Sequence, residues 1–268
     1  MILKCGNCLN LLEAIPDESV DMVMTSPPYD NLRDYHGYSF DFEDIARELY
    51  RVMKAGGVIV WVVSDAVIDG SETGTSFRQA LFFKEIGFNI HDTMIWAKDT
   101  FTFPDSKRYG QAFEYMFVFS KGIPKTINKI CDRKNKWANT AIHGTSRGKD
   151  GVTFRKSNSK KSNVKTYGDR FNVWNIPSEK ANKSGHPAVY PVRLCKDHIY
   201  TWSNQGDVVL DPFMGSGTTG IACKELGREF IGFEISIDYF KIASKRISEY
   251  DAQIGMEDII YNKKEVQK

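Results

Sequence analysis

The pattern of hydrophobic and polar positions predicts strands that alternate with helices in two blocks of the chain. The first block covers residues 1–120. Apolar residues at positions 42, 45, 49, 52 and 53 recur with the period of a helix. The continuous apolar run at 58–63 is typical of a strand buried on both faces. From such patterns the block predicts strands at 1–5, 20–25, 58–63, 90–97 and 114–120, and helices at 9–15, 41–54 and 76–86.

The second block repeats this alternation between residues 185 and 250. It predicts helices at 192–202, 218–226 and 239–250, and strands at 208–210 and 230–234. Strands that alternate with helices indicate an α/β fold, with a parallel sheet and helices on both faces. Ligands of such sheets bind at the carboxyl ends of the strands, so we expect the site in the loops after residues 5, 25, 63, 210 and 233.

Between the blocks, residues 122–184 sustain no hydrophobic period. This segment is rich in Lys, Asn, Ser and Gly, with spaced aromatic residues at Trp137, Phe154, Tyr167, Phe171 and Trp174. Residues 121–185 hold 16 Lys and Arg against 4 Asp and Glu, whereas the rest of the chain holds 20 against 30 and the net charge is only +2. A basic segment in an acidic body indicates a polyanionic partner such as nucleic acid; a solvated insertion is the alternative.

Composition excludes several classes of protein. Hydrophobic residues are 41% and aromatic residues 13% of the 268 positions, which is enough for a core and argues against disorder throughout. The longest apolar run is far shorter than the ~20 residues that span a bilayer, and the N-terminus shows no secretory signal. Because 5 Cys make no disulfide framework at this length, we expect a reduced, cytoplasmic protein with no membrane partner.

The most specific motif follows the strand predicted at 208–210 and precedes a helix. It consists of Asp211, Pro212, Phe213, Met214, Gly215, Ser216, Gly217, Thr218, Thr219 and Gly220. Its glycines let a ligand approach the backbone closely, and its threonines can cap the helix and donate hydroxyls. The absence of a Gly-Lys-Ser/Thr ending excludes a P-loop.

The spacing of this loop indicates a nucleoside-containing cofactor. Gly215, Gly217 and Gly220 match the pattern Gly-x-Gly-x-x-Gly, and Glu234 ends the next strand, where an acid can accept both hydroxyls of a ribose. A nicotinamide enzyme stays open on this loop alone. The carboxylate of Asp211 at the strand end favours a cofactor with an ammonium group over one with a pyrophosphate.

A second motif, Thr25-Ser26-Pro27-Pro28-Tyr29, follows the strand predicted at 20–25. Two prolines fix the backbone, so the hydroxyl of Ser26 and the carbonyl of Pro27 can together bind one amino group. Tyr29 offers a flat ring on which a base can stack. The alternative is an ordinary proline-rich turn.

Together the two motifs resemble the signatures of the amino-group DNA methyltransferases, which methylate an exocyclic amine with S-adenosylmethionine. The order of tetrapeptide, basic segment and cofactor loop is similar to that of the permuted beta group. The resemblance covers nearly the whole chain and implies a class I, Rossmann-like sheet. Further matching pieces are Trp96-x-Lys98, Glu114, His186-Pro187-Ala188 and Phe233-Glu234.

The resemblance implies a role for each matching residue. Glu234 would hold the ribose of the cofactor, and Asn7, where the family usually has Asp, would accept from the adenine amine through its amide oxygen. The target amine would bind at Ser26, Pro27, Pro28 and Tyr29. The methionine part of S-adenosylmethionine would be surrounded by Asp211, Pro212, Phe213, Gly215, Ser216, Gly217, Thr218 and Thr219.

The same resemblance implies a division of labour along the chain. Residues 1–121 would form the catalytic half, 122–184 the target-recognition region and 185–268 the cofactor-binding half of the methyltransferase domain. The expected partner is double-stranded DNA in a bacterial or phage-infected cell, and no metal is expected. A homodimer and a separately acting restriction endonuclease are left open as further partners.

The chemistry explains these residue types. An exocyclic amine is a poor nucleophile because its lone pair is delocalised. Hydrogen bonds from both of its N–H groups, to the Ser26 hydroxyl and the Pro27 carbonyl, would favour a pyramidal nitrogen whose lone pair points at a methyl group. The base must leave the duplex, and stacking on Tyr29 would offset part of the unstacking cost, roughly a few kcal/mol. In the family that the chain resembles, Ser at the first position of the tetrapeptide accompanies cytosine more often and Asp accompanies adenine, so the resemblance favours N4 of cytosine, with N6 of adenine as the alternative. More remote alternatives are a catalytically silent DNA-binding protein and an RNA or protein-glutamine methyltransferase.

Other candidates carry less weight. Cys5-x-x-Cys8 resembles half a zinc site or a redox pair, but the chain has no second such pair. His186 is interpreted as structural rather than as a general base. Asp65 is expected either to line the site or to cap a helix, and residues 30–40, with Arg33, form either a lid near DNA phosphates or a plain surface loop.

Overall fold

The computed structural model describes residues 1–28, 40–100, 107–141, 145–155, 163–178 and 190–250, which divide between two compact units. The first unit holds the described residues of Met1–Asn128 and those from Asn172 onward, and the second those of Lys129–Phe171. No helix of the described residues is long and apolar enough to cross a membrane.

In chain order the elements are β1 (Ile2–Cys5), α1 (Cys8–Leu12), β2 (Val20–Thr25), α2 (Phe42–Val52), β3 (Met53–Val63), β4 (Val67–Ile68), β5 (Ser71–Glu72), α3 (Thr75–Glu85), β6 (Asn89–Ala97), β7 (Phe113–Ser120), β8 (Arg133–Lys134), β9 (Thr145–Arg147), β10 (Thr153–Arg155), β11 (Tyr167–Gly168), β12 (Val173–Asn175), α4 (Val192–Trp202), β13 (Val208–Asp211), α5 (Thr218–Leu226), β14 (Glu229–Glu234) and α6 (Ile237–Glu249).

Eight strands of the first unit form one sheet in the order β1-β14-β13-β2-β3-β7-β6-β12. Strand β7 runs antiparallel to its neighbours β3 and β6, and the other pairs are parallel. The predicted α/β class is confirmed, but the expectation of a parallel sheet does not hold at β7. In the described residues no helix lies between β6 and β7, and parallel pairing of consecutive strands needs a long crossover.

Two apolar cores flank the sheet. The residues of β3 at positions 58, 60 and 62 pack in one core with side chains of α4, α5 and α6. Those at 59, 61 and 63 pack in the other core with side chains of α1, α2 and α3. This alternation follows from the period of 2 of a strand, and it confirms the predicted helices on both faces.

The predicted bounds agree with the structure for β2, α4 and α5 and differ by a residue or a few for most other elements of the two blocks. The clearest difference is the start of β3 at Met53 rather than at residue 58. Gly56 and Gly57, which follow the helix predicted at 41–54, lie inside this strand. A Cβ at position 57 would stand 2.9 Å from the carbonyl oxygen of Asp21 on β2, so glycine allows the two strands to approach.

One strand of the main sheet lies within the segment that shows no hydrophobic period. Strand β12 pairs with β6, and its Trp174 is 5% exposed. Next to it, the indole Nε1 of Trp96 donates to the carbonyl oxygen of Ile176 at 2.8 Å. Three residues are too few to display a period, so the pattern could not reveal this strand.

The second unit contains two short antiparallel ribbons, β8 with β11 and β9 with β10. Surface interactions hold its loops: Lys129 pairs with Asp169 at 2.9 Å, Arg170 pairs with Asp132, and the guanidinium of Arg133 lies 4.4 Å from the ring centroid of Phe171. The functional division into residues 1–121, 122–184 and 185–268 stays a prediction.

Candidate active site

Three neighbouring strands end at the same edge of the sheet and bring the two sequence motifs together. Thr25 ends β2, Asp211 ends β13 and Glu234 ends β14. Strand β13 pairs with both of the others, so the cofactor loop lies between the turn that begins at Ser26 and the carboxylate of Glu234. This is the edge at which open α/β sheets bind their ligands.

The carboxylate of Asp211 is at the centre of a buried hydrogen-bond network. Its Oδ1 accepts from the hydroxyl of Thr25 at 2.6 Å and from the backbone N–H of Phe213 at 3.1 Å. Its Oδ2 accepts from the hydroxyl of Thr219 at 2.5 Å and from that of Tyr190 at 3.3 Å. Through these bonds the carboxylate joins the ends of β2 and β13 to the first turn of α5, and Asp211 is only 1% exposed.

Sequence reasoning did not assign a role to Thr25 or Tyr190. The hydroxyl of Tyr190 also lies 2.6 Å from that of Thr219, which extends the network to a residue two positions before α4. Thr25 follows the apolar stretch Met22-Val23-Met24, which marks it as a hydroxyl residue at a strand end but does not show which group it binds. Tyr190 carried no such signal, because its contacts depend on the tertiary fold.

Burial and hydrogen bonding shift the pKa of the Asp211 carboxyl in opposite directions. Burial raises the pKa of this carboxyl above its ordinary value of 3.8, while the hydroxyls of Thr219 and Thr25 favour the ionised form and lower it. The donors offset part of the cost of burying a charge. A predicted contact between Asp211 and a cofactor ammonium therefore competes with four partners inside the protein.

The loop after Asp211 is held against β14 and α6. The N–H of Met214 donates to the carbonyl of Phe233 at 2.8 Å, and the guanidinium of Arg246 donates to the hydroxyl of Ser216 at 2.7 Å. Gly217 begins α5 with φ +83°, and a Cβ there would stand 3.2 Å from the Cα of Ala243. Glycine is needed at this position both for the backbone angle and for the close approach to α6.

Glu234 faces the same loop. Its Oε2 accepts from the N–H of Gly215 and its Oε1 from the N–H of Ser236, each at 2.9 Å. Burial raises the pKa of this carboxyl above its ordinary value of 4.5, although the two backbone donors lower it. Each carboxylate oxygen has a further acceptor direction, so this group can still bind the paired hydroxyls of a ribose.

The start of α5 contains a polar atom without a partner. Thr218 is 4% exposed, and its Oγ1 makes no hydrogen bond within the described residues. Buried hydroxyls are normally paired, so a ligand group at the loop would complete its hydrogen bonding. The carboxylate of Glu234, the glycine loop and this hydroxyl together fit a cofactor that carries a ribose and polar termini.

Asn7 and Phe213 lie at the edges of the predicted cofactor site. The amide oxygen of Asn7 accepts from the N–H of Leu9 at 2.9 Å and so caps α1, while the residue itself is exposed. This oxygen has a second lone pair with which it can accept from an amine. The ring of Phe213 makes edge contacts with Phe40 and Trp61, at centroid distances of 5.6 and 6.3 Å. Pro212 is buried beside it.

The predicted target-amine site begins directly after the buried Thr25. Pro27 is buried, and Ser26 and Pro28 are partly exposed. Tyr29, the segment 30–39 with Arg33, interpreted as part of either a lid or a plain surface loop, and the matching piece His186-Pro187-Ala188 lie outside the described residues. The structure therefore joins the first three residues of the tetrapeptide to the cofactor loop.

The remaining candidates have structural partners. Asp65 accepts from the backbone N–H of Ser76 at 2.8 Å, so it satisfies a first-turn N–H of α3 from outside the helix, whose N-cap residue is Gly74. Burial raises the pKa of Cys8 to about 12, which makes it a poor thiolate donor. In the described ranges no group of three His, Cys, Asp or Glu side chains could hold a metal ion.

Comparison with known sequences identifies relatives over most of the chain. A family model described as DNA methylase, N6_N4_Mtase, matches residues 20–245. The orphan methyltransferase M.BamHII of Bacillus amyloliquefaciens is 54% identical over 246 residues, which cover 89% of this chain and 92% of that protein. The DNA adenine methyltransferase YhdJ of Escherichia coli strain K12 is 30% identical over 270 residues, covering 92% and 84%.

Solved structures share the fold. The cytosine-N4-specific PvuII DNA methyltransferase aligns with a TM-score of 0.67 at 23% identity, covering 97% of this chain and 91% of that one. The M1.HpyAVI–SAM complex aligns with a TM-score of 0.62 at 24% identity, covering 91% and 98%. The architecture is thus that of methyltransferases, as the motifs predicted.

Proposed function

Because the chain belongs to the N6/N4 family of DNA methylases, we propose that it transfers a methyl group from S-adenosylmethionine to N4 of cytosine in double-stranded DNA. One observation carries the proposal. The turn that begins at Ser26 and the glycine loop after Asp211 start from adjacent strand ends, and the Thr25–Asp211 hydrogen bond of 2.6 Å joins them. A methyl donor on one loop therefore lies beside an amine bound at the other.

The cofactor roles follow from the contacts at the loop. S-adenosylmethionine supplies an electrophilic methyl group on a sulfonium. Glu234 accepts the hydroxyls of the ribose, the Thr218 hydroxyl binds a polar group of the methionine part, and Asn7 accepts from the adenine amine. Asp211 contributes by shaping the loop that Phe213, Gly215, Ser216 and Gly217 form around the cofactor.

The target side needs no covalent intermediate. The hydroxyl oxygen of Ser26 and the carbonyl oxygen of Pro27 accept hydrogen bonds from the two N–H groups of the exocyclic amine, so the nitrogen lone pair turns towards the methyl group. Tyr29 stacks on the flipped base, and base–aromatic stacking contributes ~1–3 kcal/mol. The basic segment at 122–184 binds the DNA and reads its sequence, in the chain order of the permuted beta group.

The choice between cytosine and adenine rests on position 26. Ser at this position supports N4 of cytosine. Adenine N6 is the second candidate, because the 30% identical relative YhdJ is named a DNA adenine methyltransferase. A homodimer and a separate restriction endonuclease remain predictions.

Nucleoside analysis of DNA from cells that express the protein tests the function. The expected product is N4-methylcytosine, and methylation-sensitive sequencing of the same DNA gives its sequence context. N6-methyladenine alone would reverse the target base and leave the cofactor site in place. Methyl groups only in RNA or protein, or in no acceptor, would contradict DNA methylation.

A matched variant connects this product to the proposed chemistry. Ser26→Ala should lower the turnover number strongly while S-adenosylmethionine binding stays near the wild-type value, because Ser26 is assigned to the target amine alone. Calorimetry and a methyl-transfer assay on the same preparation separate the two. Full turnover in Ser26→Ala would show that another group binds the amine.

A further inference from the structure

We propose that Thr25 and Asp211 form a latch that sets the position of the target turn relative to the cofactor loop, which makes Thr25 a positioning residue for methyl transfer. The inference rests on the proposed function of this site. Thr25 lies next to Ser26 in the chain, and its hydroxyl donates to the carboxylate of Asp211 at 2.6 Å.

The latch lies where backbone pairing between the two strands stops. Strand β2 pairs with β13 at two positions, Met22 with Val209 and Val23 with Leu210. Beyond them one strand leads into a turn with two prolines and the other into the glycine loop, and a proline has no N–H with which to continue a ladder. The Thr25 hydroxyl restores a bond across this gap.

Asp211 carries the connection to the cofactor loop. Its Oδ1 is shared by Thr25 and the N–H of Phe213, and its Oδ2 accepts from Thr219 in the first turn of α5. A displacement of the target turn must therefore either break the Thr25–Asp211 hydrogen bond or move the cofactor loop with it. Thr25 is 0% and Asp211 1% exposed, so water cannot replace either partner easily.

The latch acts on the distance between the reacting atoms and not on either ligand alone. An in-line displacement requires the amine nitrogen and the methyl carbon to be aligned, and a misplacement of about 1 Å can cost about 100-fold in rate. Loss of the Thr25 hydroxyl should therefore lower the rate of the chemical step. The cofactor keeps its own contacts at Glu234 and at the glycine loop.

Three variants test the latch by single-turnover methyl transfer to DNA, calorimetry with S-adenosylmethionine and thermal unfolding. Thr25→Val keeps the shape and removes the hydroxyl, Thr25→Ser restores the hydroxyl, and Thr201→Val is the matched control. Thr201 is 8% exposed and donates to the carbonyl of Asp197 at 2.7 Å within α4, so this variant also loses one buried hydroxyl hydrogen bond.

Thr25→Val should transfer the methyl group about 10- to 100-fold more slowly than the wild type, with unchanged cofactor affinity. Thr25→Ser should recover most of the rate, and Thr201→Val should lose stability without losing rate. Should Thr25→Val fail to fold, Thr25→Ala takes its place in the same assays.

A wild-type rate in Thr25→Val, or an equal loss of rate in Thr201→Val, would overturn the latch alone. Parallel loss of rate and cofactor affinity in Thr25→Val would also overturn it, because the residue would then support the cofactor site in general. No methyl transfer to DNA by the wild-type protein would overturn the proposed function and this role with it.

Discussion

Different interactions stabilise the interior of each of the two compact units of this protein. The first unit, the described residues of Met1–Asn128 and those from Asn172 onward, has an eight-stranded sheet between two apolar cores. In the second unit, the described part of Lys129–Phe171, Ile130 is the one buried hydrophobic side chain, and two ion pairs join the segments beside the ribbon of β8 and β11. Rigid positioning and an accessible charged surface thus belong to different parts of the chain.

This difference matches the two tasks of a DNA methyltransferase. Methyl transfer needs donor and acceptor fixed to within a fraction of an ångström, which a close-packed core provides. The contact with DNA that we propose for the second unit needs cations and aromatic rings that a duplex can reach, and Trp137, Phe154 and Tyr167 are all more than half exposed. The cost of exposing such rings is that the second unit gains little stability from burial.

The largest expected difference in the free energy of unfolding is between alanine variants of two tryptophans, one in each unit. Trp61 is 0% exposed and its Nε1 donates to Gln79 at 2.9 Å, so Trp61→Ala should lower the free energy of unfolding by about 3–5 kcal/mol. Trp137 is 66% exposed, so Trp137→Ala should change it by less than about 0.5 kcal/mol. Urea unfolding measures both, and equal losses would show that the second unit also depends on a packed core.

A smaller effect is expected at Glu234, within the first unit. Glu234→Ala should weaken S-adenosylmethionine binding by ~1–3 kcal/mol, because a buried acceptor of the ribose hydroxyls is lost. Calorimetry measures the change, with Glu249→Ala at the end of α6 as a matched acidic control. Unchanged affinity in Glu234→Ala would place the ribose elsewhere.

The same residue predicts a pH dependence. Burial raises the pKa of Glu234, so its carboxylate takes up a proton at a higher pH than an ordinary glutamate with a pKa of 4.5. The ionised form accepts the ribose hydroxyls, so cofactor affinity should fall as the pH drops through this raised pKa. Glu234→Gln should bind more weakly at neutral pH and lose this part of the pH dependence. An identical pH profile in wild type and Glu234→Gln would assign the titration to another group.

The smallest effect is expected at an exposed lysine of the second unit. Lys149 lies in the turn between β9 and β10, and Lys149→Gln should weaken binding of all DNA sequences alike. If Lys149 neutralises one phosphate, the slope of log affinity against log salt should become less steep by about 0.9. Lys241→Gln, an exposed lysine of α6 in the first unit, is the charge-matched control. An equal change in both variants would assign the effect to net charge and not to the second unit.

The same contrast explains what the sequence could reveal. Strand β2 and helices α4 and α5 were predicted to the residue because local signals mark their ends: Pro27 and Pro28 after β2, Pro191 before α4 and Gly227 after α5. Strand β12 was missed because it has three residues, and the direction of β7 depends on the connection before it rather than on its own pattern.

The candidate site was predictable in part for a related reason. Asp211, the glycines after it and Glu234 form local motifs, and the structure places them at neighbouring strand ends as expected. The bonds that join Asp211 to Thr25 and Tyr190 depend on strand order and helix packing. No local pattern contains that information, so the network became visible only in the folded chain.

The bond between Thr25 and Asp211 also joins residues that are 186 positions apart, and this separation has a consequence for synthesis of the protein. On the ribosome β2 is made early, while β13 is completed roughly 10–40 s later at translation rates of ~5–20 residues per second. During this interval one edge of β2 lacks its native neighbour, and unpaired strand edges can associate with other chains. The yield of folded enzyme should therefore depend on how quickly the ribosome finishes the chain and on chaperones that cover this edge, even where the completed protein is stable.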